Sequence, residues 1–413
     1  MTDSADTNGP RTHRRLPRWR EVAPFLEMRA TRGDPVDRRL SRAHTIGDLA
    51  EIARRRTPRS VFEYVSGGAE GEVGIERARA AYERIEFRPH VFRDVSAVDT
   101  STSILGRTAT LPLILAPTGF TRMMQHEGET AVARAAAAAG VPYALSTMGT
   151  ATIEDVTSTA PTGANWFQLY LWKDRAASRD LVERAAQAGV DVLVLTVDTP
   201  VPGNRLRDVR NGMTIPPTLN VRTLADITRH PSWWLNLLTT QPLEFSNLTS
   251  FEGTVGELVK SMFDPALTLA DLEWLRSEWP GKLVVKGIQD VADARDIVDA
   301  GADALVVSNH GGRQLDRAPT PLELLPEVVD AVGSGVEVYV DTGITTGSDL
   351  IAAVGLGATA GMVGRAYLYG LMAGGQRGVT SALDIFRSEA TRTMQLMGAQ
   401  TLTDLRGRVT LRR

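Results

Sequence analysis

The chain contains no cysteine in 413 residues. Disulfides, thiolate nucleophiles, cysteine zinc sites and iron–sulfur clusters are therefore excluded, and a reducing compartment fits. Its 6 histidines are scattered, and none has metal-ligand spacing. No run reaches the roughly 18 apolar residues that a bilayer-spanning helix needs. The first apolar cluster, "LPRWREVAPFLEMR", is interrupted by charges, so no secretory signal is expected. "NLT" at 247 then matches a glycosylation pattern by spelling only. There is no serine elbow for acyl transfer. "GLGATAG" (355–361) has the wrong glycine spacing and the wrong place for a dinucleotide fingerprint. A net charge of -3 disfavours nucleic acid as a partner.

A hydrophobic content of 43% is ample for a large buried core, as two ordinary domains or one large barrel with insertions. Residues 1–59 carry an arginine excess, which leaves the rest of the chain acidic. A solvated basic tail accounts for this, and attraction to an anionic membrane surface is the sharper reading. Residues 1–40 are polar, Arg- and Pro-rich and weakly periodic, and are expected to form a flexible arm. From Ile46 to Tyr82 the pattern is helical, with a break at "VSGGAEGEVG".

Beyond that point one unit recurs: a short β-branched run, a polar turn and an alanine-rich amphipathic helix. The runs are "LPLILAP" (111–117), "PYALST" (142–147), "NWFQLYL" (165–171), "VLVLTVD" (192–198), "KLVVKGI" (282–288), "ALVVSNH" (304–310), "EVYVDTG" (337–343) and "AGMVGR" (360–365). Apolar runs of this kind suit parallel strands covered on both faces. Eight β/α units predict a (β/α)8 TIM barrel over 41–405, with an open doubly wound sheet as the other option. A long insertion, 199–281, follows the fourth strand and contains "HPSWWLNLLTT".

In such a barrel the active site lies at the C-terminal mouths of the strands. The unusual polar residues collect there: Gln168 and Tyr170, Thr196 and Asp198, Lys286, Ser308 to His310, Asp341 and Gly343, Gly364 and Arg365. Singly, each has a bland explanation. Lys286 could reach solvent, Asp198 could cap a helix in "VDTP", and Tyr170 could fill core. Jointly they point to chemistry. His310 and Asp198 pair naturally as an oriented general base. Arg205 and Arg313 suit bidentate contacts with a carboxylate. A buried Lys286 would set positive charge against an electron-rich ring. The glycines of "DTG" and "VGR", with Arg365, match a barrel phosphate site. A phosphorylated cofactor, a carboxylate substrate and a proton abstraction follow.

"SNHGGRQLD" (308–316), with "APTG", "QLY", "TVDTP", "KGI" and "GR" in order, resembles the FMN-dependent L-2-hydroxy acid oxidases and dehydrogenases over about residues 44–405. "RTPRSVFEYVSGGAE", "RLRDVRNGMTIPP" and "GRAYLYGLMAGG" look most like the actinobacterial quinone-linked L-lactate dehydrogenases. The resemblance implies FMN as cofactor and His310 as base, partnered by Asp198. Arg205, Arg313 and Tyr64 would hold the substrate carboxylate, and Tyr170 would contact its hydroxyl. Lys286 would lie near flavin N1 and O2. Pro117, Thr118, Gly119, Ser146, Gln168, Thr196 and Ser308 would line the ring and ribityl. Asp341, Gly343, Gly364 and Arg365 would hold ribityl and phosphate.

Some residues depart from that pattern. Thr342 replaces a glycine, Thr345 replaces an arginine, and Met148 stands where plant glycolate oxidase has tryptophan, which alters the substrate pocket. Gly119 replaces an alanine and hints at a dehydrogenase. No haem-binding domain is expected, unlike the flavocytochrome arrangement. Electrons are expected to pass to quinone, and Trp233, Trp234, Leu235, Leu237 and Leu238 look like an interfacial anchor; a lid or subunit contact is the alternative. The expected location is cytoplasmic, peripheral at the inner face of the cell membrane, as a homo-oligomer of four or eight subunits. Competing readings are a soluble oxygen-using oxidase of glycolate or mandelate-like acids, an FMN-barrel isomerase and a non-catalytic barrel.

Overall fold

The computed structural model describes residues 15–23, 34–213, 221–248 and 262–412. Eight short parallel strands form the barrel: β1 (Leu113–Leu115), β2 (Tyr143–Ser146), β3 (Asn165–Leu169), β4 (Val192–Thr196), β5 (Lys282–Ile288), β6 (Ala304–Val307), β7 (Glu337–Val340) and β8 (Ala360–Val363). Each pairs with the next in sequence, and β8 closes on β1 through Gly361 opposite Leu113. All eight predicted apolar runs contain strands, because their apolar residues are covered on both faces and the few polar side chains stand near the strand ends. In β4 every residue from Val192 to Thr196 is buried.

The intervening helices have local start and stop signals. Gly128–Ala139 is alanine-rich and ends where Gly140 takes φ +69°. Asp174, Asp290 and Thr346 cap the helices that follow β3, β5 and β7 with side-chain acceptors. The barrel interior is a packed core, with the rings of Trp166 and Tyr339 6.1 Å apart. A hairpin, Thr102–Ile104 with Arg107–Ala109, plugs its lower end, where Leu105 N donates to Glu337 Oε1 at 2.9 Å.

The segment before the barrel forms helices Ile46–Arg56, Arg59–Ser66 and Val73–Glu83. Glycine-rich 67–72 folds back over the turn after β6, and Ala69 N donates to Gly312 O at 2.9 Å. Strand Ile85–Phe87 pairs with Val409–Leu411, which ties the two ends of the domain together. The predicted arm falls largely on residues 1–14 and 24–33, outside the described residues. Within its span, helix Pro35–Leu40 buries Leu40, and Arg39 Nε donates to Ala373 O at 2.9 Å.

The insertion after β4 supplies helices Leu206–Arg210, Val221–Thr228 and Pro231–Leu238; its residues 214–220 and 249–261 lie outside the described residues. The expected anchor divides in two. Leu235 and Leu238 are 48% and 74% exposed. Trp233 and Trp234 instead turn inward: Trp233 Nε1 donates to Met123 O at 2.8 Å, and the indole nitrogen of Trp234 is buried. The Trp233 N–H thus finds a partner on the barrel that hydrocarbon cannot offer, whereas that of Trp234 has none among the described residues. Among the described residues no helix is long and apolar enough to cross a membrane.

Candidate active site

The strand mouths open into a cavity of about 600 Å³, within the ordinary range for cofactor sites. Pro117, Thr118 and Gly119 line it after β1, Ser146 and Met148 at and after β2, Gln168 and Tyr170 at β3, and Thr196 at β4. Lys286, His310, Arg313, Asp341, Gly343, Gly364 and Arg365 line it from β5 to β8. Arg205 comes from the loop after β4, and Tyr64 from helix Arg59–Ser66.

Asp198 and Ser308 sit one layer behind. Asp198 Oδ1 accepts from His310 Nδ1 at 2.8 Å, and its side chain is 0% exposed. It caps no helix, since the next one begins only at Leu206. Gly287 makes this placement possible. It sits at the β5 irregularity with φ +116°, and a Cβ there would lie 2.7 Å from Asp198 Cβ. Burial pushes the Asp198 carboxyl up, but the charges of His310 and then Lys286 hold it below the usual range. With Nδ1 so engaged, Nε2 is the basic nitrogen of His310.

Ser308, expected to touch the cofactor, instead braces the floor. Its hydroxyl accepts from Lys286 Nζ at 2.8 Å and from His310 N at 3.0 Å, and donates to Asp341 Oδ2 at 2.9 Å. The reason is distance: Ser308 is wholly buried between β5 and β7. Lys286 also pairs with Asp341 Oδ2 at 2.8 Å. Burial lowers the ammonium, yet the carboxylates of Asp341 and Asp198 outweigh it and raise Lys286 above its usual range. The charged form of Lys286 is thus favoured on the barrel floor, paired with Asp341.

On the opposite wall Arg313 and Arg205 both lie over the Tyr64 ring, at 5.0 and 5.6 Å from its centroid. Arg313 Nη1 donates to Tyr64 O at 2.6 Å and Gly67 O at 3.1 Å. Desolvation, then the charge of Arg205, lowers Arg313 to about 10. The nearest carboxylate, Asp208, lies 3.6 Å from Arg205. Two crowded guanidiniums sharing one loose partner make a ready site for an anion. Tyr170 lies between the walls, its phenol raised by burial, with its ring edge-on to Phe263 at 5.6 Å.

The turn that joins these walls is strained. His310 adopts φ +58° and Thr342 φ +68°, uncommon for non-glycine residues and an outlier for a β-branched one. Thr342 Oγ1 accepts from Gly311 N at 3.1 Å and donates to Asp341 Oδ1 at 2.8 Å. Gly311 is required beside it: φ is +68°, and a Cβ would meet Arg365 Nη1 at 3.0 Å.

The lining suits the flavin that the sequence implies. Gln168 Oε1 accepts from Ser146 Oγ at 3.0 Å, while its Nε2 is buried without a partner. A buried amide donor lining the cavity calls for an acceptor such as a ring carbonyl. Arg365 is less free than expected, since Nε donates to Val65 O and Nη2 to Gly67 O and Gly311 O at 2.7–3.0 Å. Sequence reasoning missed Arg79 and Phe263, which also line the cavity. Neither stands at a strand mouth; Arg79 lies on the helix Val73–Glu83 ahead of the barrel, where helical periodicity gives no sign that it reaches the cavity.

The sequence profile of the family described as FMN-dependent dehydrogenase matches residues 53–412. A Mycobacterium tuberculosis (strain H37Rv) protein named "Putative L-lactate dehydrogenase" is 54% identical over 393 residues, covering 95% of each chain. An L-lactate dehydrogenase of Caulobacter sp. (strain K31) is 42% identical over 87% of this chain and 96% of its own. Among solved structures, the monotopic membrane protein (S)-mandelate dehydrogenase superposes with a TM-score of 0.86 at 34% identity, covering 90% of this chain and 100% of its own. Mandelate oxidase does so with a TM-score of 0.78 at 38% identity, covering 89% and 98%. A histidine backed by a buried aspartate, a lysine floor and a two-arginine wall around one barrel mouth thus agree with the whole-length match: the chain belongs to the FMN-dependent dehydrogenase family.

Proposed function

We propose that the chain oxidises a small L-2-hydroxy acid, L-lactate first, to the 2-oxo acid and passes the electrons to a quinone at a membrane surface. The carrying observation is that the His310–Asp198 pair and the Arg205–Arg313 wall meet across Tyr170 in one cavity. The arginines take the carboxylate, and the substrate's H–C–O–H group is presented to His310 Nε2. That nitrogen takes one of its two hydrogens as a proton, Asp198 stabilises the resulting imidazolium, and the other hydrogen and the two electrons would leave to the bound acceptor and solvent. Tyr170 meets the substrate hydroxyl. Pro117 to Gly119, Ser146, Gln168 and Thr196 would hold the FMN ring, with Lys286 facing its electron-rich edge and Asp341, Gly343, Gly364 and Arg365 the ribityl and phosphate. FMN supplies a two-electron acceptor there.

The quinone and membrane parts of the reading rest on the insertion. Val221, Leu224, Leu235 and Leu238 are 82%, 48%, 48% and 74% exposed on two consecutive helices, an apolar face suited to an interface. They support the reading of a peripheral protein, placed in this proposal at the inner face of the cell membrane. Val91, Phe92 and Leu396 are exposed close together, where His90 N donates to Met397 O at 3.0 Å. They suit a contact between subunits of a homo-oligomer. A second substrate reading, an aryl 2-hydroxy acid, is favoured by Met148 and the Tyr170–Phe263 pair in the lining.

The test is an anaerobic absorption spectrum between about 350 and 500 nm. Bleaching of the flavin bands by L-lactate supports the reading, and reoxidation by a soluble quinone rather than by oxygen supports the acceptor. Bands that persist with lactate but bleach with mandelate favour the aryl acid. Bands indifferent to every 2-hydroxy acid would refute the assignment.

A further inference from the structure

The loop after β7, Asp341–Thr346, contains no cationic side chain. Barrel enzymes commonly seat phosphate at the mouths of strands seven and eight, where backbone N–H groups and nearby positive charge face the anion. Two guanidiniums reach this mouth. Arg365 is committed to the three carbonyls of Val65, Gly67 and Gly311. Arg79 comes from helix Val73–Glu83 and lines the same cavity as Thr342, Gly343 and Thr345.

Arg79 is held against the loop by one edge. Its Nη1 donates to Gly343 O at 2.8 Å, Thr345 Oγ1 at 2.8 Å and Asp349 Oδ2 at 2.6 Å, and Nη2 donates to Asp349 Oδ1 at 3.0 Å. The Tyr82 ring lies 5.5 Å from the guanidinium carbon. Asp349 is itself spread over several donors, accepting from Thr345 N at 2.9 Å and Thr346 N at 3.0 Å. The carboxylate faces only the Nη1–Nη2 edge of Arg79 and leaves its Nε edge open. The Arg79 side chain remains 36% exposed, whereas that of Asp349 is 8%. Among the described residues Nε of Arg79 has no acceptor.

We propose that Arg79 is a second cation for the phosphate of FMN beside Arg365 and the freer of the two, supplied from the helix ahead of the barrel and positioned by Asp349 and Thr345. The inference rests on the flavin reading of the cavity. It makes the preference for FMN over unphosphorylated riboflavin depend on a residue outside the strand mouths.

The experiment strips the flavin from the full chain and titrates the apoprotein with FMN and with riboflavin, following flavin fluorescence. Arg79→Met is expected to weaken FMN roughly 10- to 100-fold, the range for a hydrogen bond to a charged group, and to leave riboflavin unchanged. Riboflavin binding thereby serves as the control for folding. Thr345→Arg in the Arg79→Met chain is expected to restore part of the preference. The double variant Arg79→Met/Asp349→Asn, which leaves no buried carboxylate unpaired, is expected to match Arg79→Met. An unchanged FMN-to-riboflavin ratio overturns the proposal, whether both affinities fall together or neither moves. Wild-type apoprotein that binds neither flavin would instead sink the flavin reading itself.

Discussion

Asp198 holds His310 from behind the cavity wall, carboxylate to Nδ1 at 2.8 Å, across 112 residues of chain. Asp198→Asn keeps the shape but removes the charge that favours an imidazolium. Turnover is expected to fall roughly 10²- to 10⁴-fold, the usual worth of a positioned acid–base group, with flavin content unchanged. Stopped-flow flavin reduction checks it. His310→Ala should fall at least as far, and undiminished reduction in that variant would remove His310 from the mechanism.

Arg313 and Arg205 share the Tyr64 face. Arg313→Lys keeps the charge but loses the flat fork. Its kcat/KM is expected to drop roughly 10- to 150-fold, mostly through KM. Tyr64→Phe retains the ring beneath both guanidiniums and should lose no more than about tenfold, one neutral hydrogen bond. Steady-state kinetics on both variants distinguish carboxylate binding from a structural role, in which kcat and thermal stability would fall together.

Lys286 and Asp341 make a buried pair at 2.8 Å, and the lysine is raised in the folded state. Its contribution to stability is therefore complete below the unfolded lysine value near 10.4 and is lost as pH climbs through the raised folded value. Lys286→Met should destabilise by about 3–5 kcal/mol at neutral pH, because a buried carboxylate loses its partner. The gap from wild type should narrow above roughly pH 10.4. Denaturant midpoints across that window test the sign, since a gap that widens with pH would contradict it. Lys286→Met/Asp341→Asn should recover much of the loss.

Thr342 sits at φ +68°, strain of order 1–3 kcal/mol for a non-glycine residue. Thr342→Gly relieves that strain but gives up the link to Gly311 N, worth about 0.5–1.5 kcal/mol. The bond to Asp341 Oδ1 is lost as well, and glycine adds about 0.4–1 kcal/mol of unfolded-chain entropy, so stability is expected to change by no more than about 1 kcal/mol, with slower turnover as the 310–312 turn loosens. A larger loss of stability with normal turnover would show that the strain is not stored there.

On the insertion, Leu235→Ser/Leu238→Ser removes two exposed apolar side chains. Each is worth up to about 1.5–3 kcal/mol when fully buried. Vesicle co-sedimentation should drop at least about tenfold, while turnover with a soluble acceptor holds. Unaltered sedimentation would assign this face to another role.

The barrel and its mouth were legible because an apolar β-branched run that ends in His, Lys or Asp is costly unless the polar end has work to do. Gln168, Lys286 and His310 could be placed on that argument alone. Three things were not. Arg79 and Thr345 meet across 266 residues, a separation to which no periodicity points. The commitment of Arg365 to carbonyls depends on how 65–67 folds back. The three-residue strands of the plugging hairpin are too short for alternation to register. The Trp233–Trp234 pair left two readings open in the sequence, because aromatic residues favour a membrane interface and a half-buried groove for the same reason, an apolar body with a polar tip.

One carbonyl oxygen, that of Gly67, accepts both from Arg313 Nη1 at 3.1 Å and from Arg365 Nη2 at 2.9 Å. Gly67 and Arg365 stand 298 residues apart. As the chain leaves the ribosome, the loop carrying that oxygen emerges early and meets Arg313 only after β6 and Arg365 only after β8. Nascent fragments that end before β8 therefore lack one wall of the pocket.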